Sequence, residues 1–321
     1  MALSNRPKIL VTSTNYSIYC GEAKQLLESN GCEIIENMRG RPLTFEELSA
    51  VVPDISGVVA GVDTWNEEVF KLAPQLKAIG RFGVGVDNID LDKAREYGIQ
   101  VTNVPGGNAN AVAEFAVGLI LSALRNIPNL YQSARRAYWD RHVGEELQGK
   151  RIGLLGFGNI SRRLARKLQG FDVDIIAFDK YPNEAAAKEL NVTLASFEEV
   201  LSTSDIVSMH LPALPETYHI MGDKQFGMMK RGSYFINTAR GTVVDEAALR
   251  KALTDGPLGG AAIDVYEHEP VGADNPLLTT DRIVTTPHTA AETIETYRLV
   301  GLTTARAILD VLAGRTPNNL L

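Results

Sequence analysis

The chain has 321 residues, 45% of them hydrophobic, and a net charge of −7 with acidic and basic side chains interspersed. That length supports about two domains of ordinary size, each with its own core. With no basic block, nucleic acid or an acidic membrane is excluded as the main partner, and an anionic ligand has to be met by local positive charge.

The first hundred residues alternate short β-rich runs with helical patterns. KILVTS is followed by GEAKQLLESNG, EIIENM and TFEELSAVV, in which Thr44 and Glu47 have capping-box spacing. GVVAGV, NEEVFKLAP, LKAIGRFG, LDKAREYG and IQVTNVP continue the series. Such alternation predicts a parallel sheet covered by helices on both faces. After Pro105 the pattern changes to a helical stretch from about Asn108 to Asn126 and a second around NLYQSARRAYWDR. The apolar part of the first, AVAEFAVGLILSAL from Ala111 to Leu124, contains Glu114. It is shorter than the roughly 20 residues a bilayer demands, so a buried or interfacial helix is expected.

Alternation restarts at RIGLLGFG and runs through VDIIAFD, DIVSMHL, SYFINTA, GAAIDVY and RIVTTPH. The expected fold is α/β: two doubly wound, Rossmann-like parallel-sheet domains with a cleft between them. In open sheets of this kind ligands sit outside the carboxyl ends of the strands, so the loops there are where chemistry is sought. MALSNRPKILVTST has no long apolar core, so no signal peptide is expected. Cys20 and Cys32 are expected to be free thiols of a cytoplasmic protein, with no disulfide framework and no metal site.

RIGLLGFGNISRRLA places Gly156, Gly158 and the small Ser161 in the turn between a strand and a helix. The first glycine allows the tight turn, the second lets backbone approach a pyrophosphate, and the helix N-terminus offers unpaired N–H groups. VDIIAFD then ends in Asp179 about 20 residues on, where a carboxylate accepts hydrogen bonds from ribose hydroxyls. That pairing predicts a dinucleotide site, and the charge of Asp179 favours NAD over NADP. Ser161 replaces the glycine usual for close helix–sheet packing, and its small side chain is expected to be accommodated.

Of the five histidines, His142, His210, His219, His268 and His288, only the last follows a clear apolar strand and a proline. AAIDVYEHEP supplies Asp264, Glu267 and Glu269 as candidate carboxylates to orient it. YFINTARG puts Arg240 at the end of another apolar strand. A cation, an acid–base group and a carboxylate at three strand ends suit reduction of a 2-keto acid. The arginine holds the carboxylate and polarises the carbonyl, and the histidine delivers a proton as hydride arrives. Read singly, Arg240 also fits a phosphate or a structural ion pair.

The motifs GRFGVGVDNID, NVPGGNANAVAE, GLLGFGNI, HLPALPET, INTARG, DVYEHEP and TPH occur in that order. Through them the chain resembles the D-isomer-specific 2-hydroxy-acid dehydrogenases over essentially its whole length, and most of all their phosphoglycerate dehydrogenase-like branch. The resemblance implies catalytic Arg240, Glu269 and His288. It also implies that the backbone at Val84 and Gly85 receives the substrate carboxylate, with Arg81 and Asn108 as further substrate contacts. NAD contacts carry over to Gly156, Gly158, Asn159, Ile160, Asp179, His210, Thr217, Thr238, Ala239 and Asp264.

The resemblance further implies a discontinuous substrate domain, 1–104 with 292–321, and an inserted NAD domain, 105–291. A helical arm at about 108–142 would make a homodimer through AVGLILSAL, with Trp139 either reaching the partner or packing locally. Where the family often carries a second arginine the chain has Gly61 and Val62, which leaves phosphoglycerate, glycerate/hydroxypyruvate or another 2-keto acid as substrate. With the chain ending at Leu321, feedback through an appended domain is not expected. Two alternatives keep the fold: an NAD-sensing corepressor-like protein and a phosphite-type dehydrogenase. Formate dehydrogenases of the family carry glutamine where this chain has Glu269.

Overall fold

The computed structural model describes residues 6–321, so the first five residues of the segment read for a leader lie outside the described ones. Twelve strands are present among the described residues: β1 (Lys8–Val11), β2 (Glu33–Glu36), β3 (Ile55–Ala60), β4 (Ala78–Arg81), β5 (Gln100–Thr102), β6 (Arg151–Leu155), β7 (Asp174–Phe178), β8 (Thr193–Leu194), β9 (Ile206–Met209), β10 (Tyr234–Asn237), β11 (Gly260–Ile263) and β12 (Ile283–Thr285). They form two wholly parallel sheets, of five strands in the order β2-β1-β3-β4-β5 and of seven in the order β12-β11-β10-β9-β6-β7-β8. The chain divides into two compact units, residues 1–108 with 292–321 and residues 109–291.

The first unit is built on the five-stranded sheet. Its β-branched strand residues are buried because helices cover both faces, which is why these strands read as continuous apolar runs. Ile9, Val11, Val59 and Ala78 pack with Ala305 and Ile308 of the helix Ile294–Leu312. Gly57 and Gly80 give that helix room: a β-carbon on Gly80 would stand 2.3 Å from the Thr304 methyl. The opposite face is sealed by Leu10, Val58, Ile79, Trp65 and Phe70, each large apolar side chain contributing about 1.5–3 kcal/mol on burial. The Thr44–Glu47 capping box is present at the start of the helix Phe45–Val51, both reciprocal hydrogen bonds being made. Both cysteines are free and buried.

The second unit is the seven-stranded sheet. Strand order reverses between β6 and β9, and this is where the crevice of a doubly wound sheet opens. The helix Ala109–Arg125 buries Ala113, Ala116, Leu119, Ile120 and Leu124 in this unit's own core, against Ile152, Leu154, Leu164 and Leu168. Part of AVGLILSAL, read as an interface, thus covers the sheet of its own unit, while Val117, Leu121 and Ala123 are only partly buried. The arm is also shorter as a helix than expected, since the second helix runs only from Ile127 to Arg135. Ala137 adopts a left-handed φ of 58°, the Tyr138 amide donates back to the Ser133 carbonyl, and the Ser133 hydroxyl donates to Asp140 at 2.8 Å. Those bonds end the helix ahead of Tyr138 and Trp139. Among the described residues no single helix is long and apolar enough to cross a membrane.

Candidate active site

Candidate residues of the second unit stand at the carboxyl ends of six of its seven strands, all but β8. Beyond β6, Gly156 has a φ of 96°, and a β-carbon there would lie 2.8 Å from the carbonyl carbon and oxygen of His210. Glycine is therefore required by both backbone angle and space. The helix Asn159–Leu168 begins at Gly158 with no side-chain cap, so the amides of its first turn remain available to an anion. Nothing lies within 4 Å of a β-carbon built on Gly158, so the backbone there is open to approach. Ser161 is wholly buried and its hydroxyl donates to the Gly158 carbonyl at 3.3 Å; the extra atom is accommodated inside the helix–sheet packing.

Asp179 follows β7. Its two carboxylate oxygens accept from the amides of Phe157 at 2.7 Å and Tyr181 at 2.8 Å. The carboxylate thus fixes the glycine turn as well as standing beside it, and keeps lone pairs for ribose hydroxyls. His210, beyond β9, is half-buried, and its Nε2 meets the Ser208 hydroxyl at 3.0 Å while the enclosed Nδ1 has no partner. Burial lowers its pKa to about 4, keeping the imidazole neutral. Thr238 has a second buried hydroxyl with no partner. Such orphaned groups at the rim of a glycine turn and an uncapped helix fit a polar dinucleotide. Thr217 is different: its hydroxyl accepts from Leu214 and donates to Pro212, so it shapes its own turn.

Beyond β10, Asn237 clips the turn that carries Arg240. Its side chain accepts from the Ala239 amide and donates to the Arg240 carbonyl. Arg240 is half-buried, donates to the Ala239 carbonyl at 2.8 Å and makes further polar contacts. The next residue, Gly241, crosses the loop after β11 closely: a β-carbon on it would stand 1.8 Å from the Tyr266 carbonyl carbon. Sequence reasoning passed over Asn237, although an asparagine two residues before a small-residue turn is an Asx-turn signal.

The loop after β11 carries Glu269, whose Oε2 lies 2.6 Å from Nδ1 of His288 and whose Oε1 accepts from the Tyr266 amide at 2.9 Å. Burial pushes the Glu269 carboxyl upward, but the hydrogen bond and charge of His288, the Tyr266 amide and the nearby Arg240 together carry it below the usual carboxylate value. Of the three carboxylates weighed as the histidine's partner, Glu269 is the one that touches it. Asp264 has another task. It is wholly buried, and its carboxylate accepts from the Thr286 hydroxyl and the amides of Thr289 and Ala290 at 2.6 to 2.9 Å. With the His288 amide donating to the Asp264 carbonyl, this holds His288 in a left-handed φ of 48°. Asp264 is among the residues expected to contact NAD; in the structure its carboxylate braces the histidine loop.

In the first unit, β4 ends at Arg81. Its guanidinium donates to the carbonyls of Gly85, at 2.8 Å, and Phe82, within the loop it begins, and makes further contacts. Asn103 Nδ2 donates to the Val84 carbonyl at 2.7 Å. Carbonyls of this loop are therefore held from behind, while among the described residues the amides of Val84 and Gly85 donate to no acceptor. Asn108 is half-buried at this unit's boundary.

Residues 117–290 match the family model of the D-isomer specific 2-hydroxyacid dehydrogenase, NAD binding domain. The chain belongs to this family. Within these dehydrogenases it is 40% identical over 301 residues to the D-3-phosphoglycerate dehydrogenase of Archaeoglobus fulgidus, covering 93% of this chain and 56% of that one. It is 37% identical over 326 residues to the glyoxylate reductase of Thermofilum pendens, covering 98% and 94% of the two chains. The NAD-dependent formate dehydrogenase of Staphylococcus aureus, solved in complex with NAD, superimposes with a TM-score of 0.85 at 29% identity, covering 98% of each chain. The chain thus spans little more than half the length of its phosphoglycerate dehydrogenase relatives. The glycine turn, Asp179 and the two orphaned polar groups all lie within the residues that match this NAD binding domain.

Proposed function

We propose that the protein is an NAD-dependent oxidoreductase acting on a D-2-hydroxy acid and its 2-keto acid. The observation that carries the reading is the 2.6 Å contact of Glu269 Oε2 with His288 Nδ1, with Arg240 near enough to lower the Glu269 pKa. NAD, when bound, exchanges hydride with the second carbon of the acid. His288 does the proton work: with Nδ1 turned to Glu269, Nε2 delivers a proton to the carbonyl oxygen in reduction and takes it from the hydroxyl in oxidation. Glu269 fixes the tautomer and stabilises the imidazolium charge. Arg240 offers a planar fork to the substrate carboxylate, a charge-assisted contact that lysine would not reproduce. The amides of Val84 and Gly85, with Arg81 and Asn108, are the first unit's anion-binding elements in this proposal.

For the substrate we favour a small 2-keto acid. Gly61 and Val62 bring no cation to the end of β3, and the guanidinium of Arg81 already serves its own loop. Phosphohydroxypyruvate, the keto acid of phosphoglycerate, is the competing substrate, supported by the relatives named D-3-phosphoglycerate dehydrogenase. The reading further takes the protein to be a cytosolic homodimer that joins through the arm, where Trp139 and Val143 are 90% and 97% exposed. Nucleic acid and membrane have no part in it. NADH oxidation measured with glyoxylate, hydroxypyruvate, 2-oxoglutarate and phosphohydroxypyruvate tests the activity and names the acid. NADH binding without turnover of any keto acid would instead favour an NAD-sensing role.

A further inference from the structure

The second unit contains a second histidine–glutamate pair. His219 Nε2 lies 2.6 Å from Glu267 Oε1, and the Tyr218 hydroxyl, whose ring stacks on His219 at 4.0 Å, donates to the same oxygen at 3.3 Å. Glu267 is two residues before Glu269, on the same loop. His219 has the same left-handed φ of 48° as His288, a conformation that costs about 1–3 kcal/mol in a residue with a side chain and persists only when its surroundings impose it.

Two contacts impose it. The His219 amide donates to the carbonyl of Thr242 at 3.0 Å, two residues past Arg240, while its side chain holds Glu267. His219 thus ties the Arg240 turn by its backbone and the Glu269 loop by its imidazole. The Glu267 amide donates to Glu246 Oε1 at 2.8 Å, and Glu246 Oε2 accepts from Asn275 at 2.7 Å, so the loop is held on both sides of the pair. Gly241 passes beneath Tyr266 and Glu267 at the crossing of the two loops. Alternate residues of the loop are therefore gripped from two directions, Glu267 by His219 and Glu269 by His288.

We infer that His219 is a positioning residue for the proton-transfer pair: through Glu267 it sets the loop so that Glu269 meets Nδ1 of His288, and through Thr242 it holds that loop in register with Arg240. The inference rests on the catalytic roles proposed above for Arg240, Glu269 and His288. A small misplacement of such a pair is costly, because proton and hydride transfer tolerate little error in geometry.

The test uses the full chain and two readouts. Side-chain ¹⁵N spectra of histidine-labelled protein, with His288 assigned from the signal absent in His288→Ala, report which ring nitrogen carries the proton. The native protein is expected to show the Nδ1–H tautomer at neutral pH, and His219→Ala a mixture of tautomers. The turnover number of His219→Ala should fall about tenfold with KM for NADH unchanged, and His219→Gln, which keeps a donor toward Glu267, should recover most of it. Should His219→Ala not fold, Glu267→Ala carries the same comparison, with Glu267→Gln as its conservative partner. An unchanged His288 tautomer signature in the alanine variant overturns the inference whatever its rate. Absence of keto-acid reduction in the native protein would count against the proposed activity alone, since the spectra answer the positioning question without turnover.

Discussion

Gly241 and Tyr266 meet backbone to backbone: a single added carbon on Gly241 would lie 1.8 Å from one Tyr266 atom and 2.0 Å from another. Neither neighbour is a flexible side chain, so the clash has no easy relief. We expect Gly241→Ala to push the Arg240 turn and the Glu269 loop apart, with a stability loss of about 1–3 kcal/mol and a larger fall in turnover than in NADH affinity. Thermal unfolding together with kcat and NADH titration checks this; turnover retained with only a lowered Tm would refute the coupling of the two loops.

Asp264 braces three donors of the histidine loop while wholly buried. Asp264→Ala leaves those donors without acceptors, so we expect a loss of about 3 kcal/mol of stability and relaxation of His288 from its left-handed backbone. Asp264→Asn keeps an acceptor and should sit between native and alanine in urea unfolding. Equal stability of all three proteins would count against the brace.

His210 gives a pH expectation with a definite sign. Its folded-state pKa is lowered from 6.5 to about 4 by burial. Below pH 6.5 the unfolded chain takes up a proton that the folded chain refuses, so stability falls as pH drops, until about pH 4 where both forms bind it. The full difference is roughly 3 kcal/mol. In His210→Asn this part of the decline should vanish, as denaturant midpoints measured from pH 7 to 4 would show.

Glu269 acts in a more acidic window. Its folded pKa is carried below 4.5, so its contribution is fully present above that value and is lost as pH falls through the folded pKa. Glu269→Gln should therefore flatten the acid side of the stability profile below pH 4.5 and slow turnover at neutral pH. An acid limb identical to that of the native protein would show that the carboxylate is not held in its charged form.

The turn after β6 should respond to Asp179 in two ways. Asp179→Ala would remove the proposed ribose acceptors and also free the Phe157 amide that it holds at 2.7 Å. We expect NADH to bind at least tenfold more weakly, consistent with loss of about 1.5–3 kcal/mol from bonds to a charged group. Fluorescence titration measures this, and unchanged affinity would place the ribose elsewhere.

Much of the architecture was legible in the sequence because parallel strands buried on both faces are apolar runs. Eleven of the strands correspond to runs such as KILVTS or SYFINTA. The one passed over, Thr193–Leu194, is a two-residue edge strand, too short to have a period. The early end of the arm helix was also hidden, since it depends on Ala137 taking a left-handed turn that alanine does not advertise. In the site, Arg240, Glu269 and His288 stood out by chemistry at strand ends. The residues that hold them did not: Gly241 and His219 act through a close crossing and hydrogen bonds between loops far apart in the chain, whereas the local Asn237 turn was readable and passed over. Even Asp264, named as a functional residue, owes its bracing role to partners more than twenty positions away.

The helix Ile294–Leu312 covers one face of the five-stranded sheet yet follows the whole second unit in the chain. During synthesis the first five strands emerge long before their lid, leaving Ile9, Val11, Val59 and Ala78 bare until that helix clears the ribosome. The inserted unit, whose elements are contiguous, can close first. Nascent chains stalled near residue 291 should thus show protease protection over residues 109–291 and little over the first hundred, a vulnerable interval that chaperones would be expected to guard.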